Sequence, residues 1–224
     1  MTSRDCQFFN LELWFELWQV IEEQSRATSY VGKPSFAYYQ LCERYQEPQR
    51  QYHILTHIDD GVAIWFNVFH LFCRPYAALL GWLYHDSIYR VMQLDNELKS
   101  ASELVRVYES DMRLDRYDPM LTWAIHHIKS TDHRSLSSSD DTKLVCDIDL
   151  FSLAATPELF AMNTEKIRLE YRQLSDQDFY LGRADFLEEL SQRGIFQHPY
   201  FRPYEASAQE NIAHSVAKWR KQFD

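Results

Sequence analysis

Glycine, proline and cysteine are scarce in this chain of 224 residues, at five, seven and four. So few turn formers argue against a strand-and-turn sandwich and exclude collagen-like or low-complexity sequence. Neither G-x-G-x-x-G nor G-x-x-x-x-G-K-[ST] is present, which excludes the glycine-rich phosphate loops. Cys6, Cys42, Cys73 and Cys146 form no C-x-x-C pair, so all four are expected as reduced core residues of a cytoplasmic protein. Positive charge is in deficit: 23 Lys and Arg against 33 Asp and Glu leave a net charge of −10. That balance disfavours attraction to phosphate backbones, and no extended nucleic-acid surface is expected. Long apolar runs are missing too. The most lipid-like stretch, 62–84, is broken by Arg74 and Pro75 and contains Asn67 and His70. A span needs about 20 uninterrupted apolar residues, so two buried helices are expected there and no membrane partner. Residues 1–6 lead into a helix dotted with acids and do not look like a signal peptide.

Aromatic residues are plentiful, with 14 Phe, 14 Tyr and 6 Trp, enough to fill a sizeable core and to rule out a disordered chain. Trp14, Trp18, Trp65 and Trp82 lie on apolar faces and are expected in that core. The hydrophobic spacing is helical almost throughout. Leu11, Trp14, Phe15, Trp18 and Ile21 follow a 3.6-residue period with acids on the other face. This predicts an N-terminal helix at about 8–28, as an elaboration on the domain. A second helix is expected from Pro34-Ser35 to before Glu47-Pro48. The others are expected at 52–72, 75–89, 96–112, 118–129, 141–154, 157–174, 177–193 and 206–222. Asp95 is expected as an N-cap and Gly194 at a helix C-terminus, and the polar run 135–141 (SLSSSDD) as a surface loop. The expectation is an all-α, single-domain bundle of nine or ten helices covering 1–224, its oligomeric state left open.

Three pieces of this helical pattern carry chemistry. His53 and His57, four apart, share one helix face. His85-Asp86 follows the strongly apolar 77–84. Asp147 and Asp149 sit among apolar neighbours, where a carboxylate must be paired, protonated or bound to a cation. Two residues apart on a helix, they do not share a face, so one points inward and the other caps or meets water. Imidazoles and carboxylates together suit a divalent Mn, Fe, Co, Ni or Zn ion better than a Cys-rich structural zinc site would.

A His, then a His-Asp doublet, then a later Asp, all on helices, resembles the HD superfamily of metal-dependent phosphohydrolases. The surroundings are similar to one bacterial branch, the predicted metal-dependent HD phosphohydrolases. The matching stretches are 52–58 (YHILTHI), 82–89 (WLYHDSIY), 95–101 (DNELKSA), 131–133 (TDH), 147–150 (DIDL), 167–171 (IRLEY), 182–183 (GR) and 205–208 (EASA). Together they span about 45–215. The resemblance implies a bundle of the HD type and one divalent metal ion (Mn, Fe, Co, Ni, Zn or Mg). Its ligands are His57, His85, Asp86 and Asp149, with Asp149 preferred to Asp147 because the family ligand precedes a Leu. His53 and His133 fall where a proton-transfer group sits, and His126-His127 match a second-metal position poorly.

In the activity so implied, a metal-activated water attacks a phosphate ester or anhydride of a small metabolite, with nucleotides among the candidates. Asp86 both ligates and accepts the proton of the water. Glu97 positions that water or holds a ligand imidazole by its second nitrogen. Arg168 and Arg183, each in a matching stretch, are expected on the phosphoryl oxygens, with helix-to-helix ion pairs as their plain alternative. Tyr52, Tyr84 and Tyr89 adjoin the ligands and are expected to line the pocket. Tyr84 stands where the branch more often has Phe, and 153–155 (LAA) replaces the usual Leu-Gly. Those departures touch pocket shape and therefore substrate. The alternatives are a non-catalytic helical protein that keeps the metal for stability or binds a partner, and a di-iron oxygenase of the same fold.

Overall fold

The structure, a computed structural model, describes residues 6–25 and 34–223. The readings of residues 1–5 and of the first helix beyond residue 25 fall outside the described residues. Those described form ten α-helices and no strand: α1 (Leu11–Ser25), α2 (Pro34–Arg44), α3 (Leu55–Val68), α4 (Pro75–Tyr84), α5 (Asn96–Arg106), α6 (Pro119–Ser130), α7 (Asp140–Leu150), α8 (Pro157–Glu170), α9 (Asp176–Arg193) and α10 (Glu205–Phe223). The all-α expectation holds. By Cα proximity the chain divides into two units, Met1–Val145 and Cys146–Asp224, with the division inside α7. None of the helices described is long and apolar enough to cross a membrane. The apolar stretch 62–84 is two helices as expected; every residue of α4 from Ala77 to Tyr84 is buried, whereas Phe66, Asn67 and Phe69 at the end of the first are exposed rather than buried.

In the first unit the aromatic residues do what their number suggests. Trp14, Trp18, Trp65 and Trp82 are all buried, and Trp14 meets Trp18 edge to face at 5.4 Å between ring centres. Tyr38 and Phe9 complete that cluster. Each large side chain buried this way contributes about 1.5–3 kcal/mol. α4 packs most extensively on α6. Gly81 makes this approach possible, because a Cβ there would stand 2.8 Å from the His127 Cβ. In the second unit α9 packs along α10, and Phe179, Leu187, Leu190, Ile212 and Trp219 are buried.

Carboxylates capturing consecutive backbone N–H groups tie the irregular segments to the helices, a device not apparent in the sequence. In the first unit Asp59 accepts from the amides of Gln7, Phe8 and Phe9. Asp141, in the first turn of α7, accepts from Cys73 and Arg74 at 2.7 and 2.8 Å, at the start of α4. In the second unit Asp147 accepts from Gln197 and His198 at 2.8 and 2.7 Å, and Glu205 from Ile195 and Phe196. Bonds of this charge-assisted kind are about twice as strong as neutral ones.

Several expectations are corrected. α4 ends at Tyr84, not 89: the Trp82 carbonyl takes the His85 amide and Nδ1, the Ser87 amide turns back to the Tyr84 carbonyl, and the Asp86 and Ser87 carbonyls beyond accept from the Arg50 guanidinium. α8 stops at Glu170, not 174: the Leu174 amide turns back to the Tyr171 carbonyl, and Arg168 closes the turn on the carbonyls of Tyr171 and Leu174. α3 begins at Leu55, α5 passes into a π-helical turn at Val107–Asp111, and α7 into a 3-10 turn at Phe151–Ala154. Asp95 does precede α5, but its side chain caps nothing and pairs with Lys99 at 2.8 Å. Cys73 is exposed and Cys6 half-buried rather than in the core, whereas Cys42 and Cys146 are buried. Gly194 ends α9 with a positive φ, as expected.

Candidate functional site

The site of the first unit is assembled from the start of α3, the turn after α4 and the start of α5. His57 lies in the first turn of α3, and His85 and Asp86 in the turn that follows α4. Their atoms converge: the His57 Nε2 is 3.4 Å from the His85 Nε2, and the Asp86 Oδ2 is 3.1 Å from the latter. Both imidazoles are buried, and the Asp86 carboxylate is largely so.

The hydrogen bonding of His85 fixes which nitrogen is available. Its Nδ1 lies 2.7 Å from the Trp82 carbonyl oxygen. A carbonyl only accepts, so Nδ1 carries the proton and donates. In the neutral ring Nε2 then bears a lone pair directed at His57 and Asp86. A lone pair and a carboxylate oxygen at 3.1 Å repel unless a proton or a cation lies between them. This is the arrangement of a metal-binding imidazole, oriented through its other nitrogen by a backbone carbonyl. The residues therefore fit a divalent ion with mixed N/O ligation.

Trp82 sets the other walls. Its ring stacks on His85 at 4.4 Å, meets His57 edge to face at 5.1 Å, and its Nε1 donates to the Ile58 carbonyl at 3.0 Å. The indole passes where the Gly61 side chain would be, since a Cβ there would lie 2.0 Å from the Trp82 Cζ2. Thus Gly61 on α3 permits the tryptophan on α4 that holds both histidines.

His53 sits just outside this cluster, its Nε2 3.9 Å from the Asp86 Oδ2 and its ring stacked on Tyr89 at 4.2 Å. Tyr52 lies against both His53 and His57. Tyr52 and Tyr89 thus adjoin the histidines as expected. Tyr84 does not: it is turned into the core against Trp14, and burial pushes its hydroxyl far above the usual range. Glu97, in the first turn of α5, is raised by burial; its own backbone N–H opposes the shift, and the Asp86 and Asp132 carboxylates add to it. His133 is buried, with a left-handed backbone at φ 53° and its amide bonded to the Ser130 carbonyl. Non-glycine residues held in that region cost about 1–3 kcal/mol and gather at functional sites. His127 is fully buried on α6, its Nδ1 3.0 Å from the Thr142 hydroxyl, and burial pushes its imidazole down to about 3.

In the second unit the two acids of α7 separate as their spacing requires. Asp147 is fully buried and occupied by the Gln197 and His198 amides, whereas Asp149 is half-buried. Arg168 is committed to the turn after α8: its Nε donates to Asp176 at 2.9 Å, and its Nη groups to the Tyr171 and Leu174 carbonyls at 3.0 Å each. Its partner is therefore Asp176, and its donors serve the turn rather than an open site. Arg183 lies half-buried on α9.

Arg50, Trp82 and Gly61 shape the site without having been singled out in the sequence as part of it. The only signal for them is proximity in sequence to the histidines, which distinguishes none of them from its neighbours. No family model, no curated protein and no solved structure matches the chain.

Proposed function

We propose that the protein is a metal-dependent phosphohydrolase of the HD type, with one divalent ion held at the His57, His85 and Asp86 cluster of the first unit. The observation that carries this is the approach of the His57 and His85 Nε2 atoms to 3.4 Å, with the Asp86 Oδ2 3.1 Å from the latter and the proton of His85 held on the far nitrogen by the Trp82 carbonyl. Of the two acids of α7, Asp149 remains the preferred ligand over Asp147, whose oxygens already accept two backbone N–H groups. A divalent ion bound there supplies a water of lowered pKa and a positive charge for a phosphate oxygen.

The chain's own residues do the rest. Asp86 accepts a proton from the attacking water through the carboxylate oxygen that does not ligate. His53, 3.9 Å from that carboxylate, relays the proton onward. Glu97, its carboxyl raised above the usual range by burial, orients the water. His133 is held as a second proton-transfer group. Arg183 neutralises the phosphoryl oxygens, a role that Arg168 is too fully engaged to share. The substrate is a small phosphorylated metabolite, and Tyr52 and Tyr89 offer faces for a nucleobase. A cytoplasmic location belongs to the same proposal.

The test is elemental analysis of protein reconstituted with Mn, Fe, Co, Ni or Zn and desalted, beside Asp86→Ala, followed by a screen of phosphate esters. About one ion per chain, lost in the variant, with turnover of at least one ester by the wild type only, is the expected result. Metal without turnover leaves a metal-stabilised binding protein, two irons per chain point to an oxygenase, and no metal in either protein overturns the reading.

A further inference from the structure

We infer that Arg50 is the positioning residue of this centre: its guanidinium sets the separation of the two backbone segments that carry the ligands. The inference rests on the metal-site reading above. Arg50 is 3 % exposed, although it carries a full charge. Its Nη1 donates to the His53 carbonyl at 3.1 Å and to the Asp86 carbonyl at 2.8 Å, and its Nη2 to the Ser87 carbonyl at 3.2 Å. One planar group therefore joins the turn leading into α3 to the turn leaving α4. The first of these places His53 and His57, and the second His85 and Asp86.

The fork is itself held from every side. Its Nε pairs with Glu47 at 3.3 Å, and the same carboxylate takes Arg90 at 3.0 Å. The Tyr45 and Tyr89 rings lie 5.2 and 5.5 Å from its Cζ. Tyr45 in turn donates to the Leu83 carbonyl on the last turn of α4, at 2.9 Å. Each of these contacts removes a degree of freedom from the guanidinium.

Joining two turns for stability alone would not call for a buried cation, because desolvating a charge costs several kcal/mol that an apolar contact avoids. What the guanidinium offers is geometry. Its donors lie in one fixed plane, so the three carbonyl oxygens take positions relative to one another that a packed apolar side chain would not specify. The lysine ammonium, a single point of donation, cannot span both turns in the same way. Asp86 is the residue most directly affected: its carbonyl is fixed by Arg50, while its carboxylate stands 3.1 Å from the His85 Nε2 and 3.9 Å from the His53 Nε2.

The experiment titrates Co2+ into wild type, Arg50→Lys, Glu47→Gln and Asp86→Ala, following the visible absorption. It also measures metal-free melting and hydrogen exchange over 50–58 and 85–90. R50K is expected to melt near the wild type, to bind Co2+ about tenfold more weakly, as loss of an outer-sphere partner does, and to show an altered Co2+ band. Faster exchange is expected in those two segments and not in α5. E47Q, which loosens the guanidinium without removing it, is expected to weaken Co2+ in the same direction by less, and it decides the matter if R50K does not fold. An unchanged Co2+ affinity and band in both variants would overturn the positioning role while leaving the metal site standing. Wild type that binds no Co2+ would sink the metal-site reading instead; exchange then decides alone, faster exchange in R50K supporting the clamp and unchanged exchange overturning it.

Discussion

His57 and His85 face each other Nε2 to Nε2 at 3.4 Å, although 28 positions separate them in the chain. Neither nitrogen arrives there by chance of rotamer. His85 is oriented from behind by the Trp82 carbonyl, and both rings are walled by the Trp82 indole. The pair is thus held ready before any ligand binds, which spares the ordering cost that a flexible pair would bear.

Chelation tests that readiness. Protein loaded with metal at about 100 times its dissociation constant should gain about 2.7 kcal/mol of stability, by mass action alone. EDTA should return its melting temperature to the metal-free value, and Asp86→Ala should show no difference between the two conditions. A calorimetric scan with and without chelator checks it.

Gly61→Ala should be costly despite its small size. The added Cβ would lie 2.0 Å from the Trp82 indole, so the ring must shift, taking with it the wall against His57 and His85. A loss of about 1–3 kcal/mol is expected from overpacking. Urea denaturation measures the loss, and the near-ultraviolet dichroism of the tryptophans should change with it.

The acids of α7 should behave differently. Asp147→Asn removes one acceptor oxygen from beneath the Gln197 and His198 amides in a fully buried position. It should cost about 1–3 kcal/mol as a buried donor is left unsatisfied. Asp149→Asn, at a half-buried position, should leave metal-free stability within about 0.5 kcal/mol of wild type while weakening metal binding. Denaturation and metal titration of the two variants, side by side, check both halves.

Acid should destabilise the protein partly through His127. Burial holds its imidazole at about 3 in the folded chain, with His126 and Arg74 adding to the effect, whereas the unfolded imidazole titrates near 6.5. Between these values the unfolded state binds a proton that the folded state refuses. Stability is therefore complete above about pH 6.5 and falls as pH drops toward 3, with a slope of up to about 1.4 kcal/mol per pH unit. His127→Gln should flatten the stability–pH curve between pH 6 and 4, whatever its effect at neutral pH. An unchanged slope in chemical denaturation would contradict this assignment.

The helices were legible because the apolar period is a local property. Each residue of α1 or α10 reports its face through neighbours three and four positions away, and the expected and observed bounds of α9 and α10 agree within one residue. The burial of Trp14, Trp18, Trp65 and Trp82 followed from the same pattern. Helix ends were read less well where the chain leaves the helix in a turn held by tertiary contacts. After α4 the Trp82 carbonyl takes the His85 Nδ1 and Arg50 holds the carbonyls of Asp86 and Ser87, and no pattern within 75–89 contains Arg50.

The sequence by itself determined the helical class, the division of the apolar stretch at Arg74-Pro75, and a set of imidazoles and carboxylates suited to a divalent ion. Those are matters of composition and near-neighbour spacing. Only the tertiary structure decided which groups meet: that His57 reaches His85, that Asp147 is spent on backbone amides, that Tyr84 belongs to the core, and that Arg168 closes its own turn. The physical reason is packing. A buried polar group must find a partner, and the partner is chosen by packing, which brings together residues whose separation along the chain carries no record of the meeting.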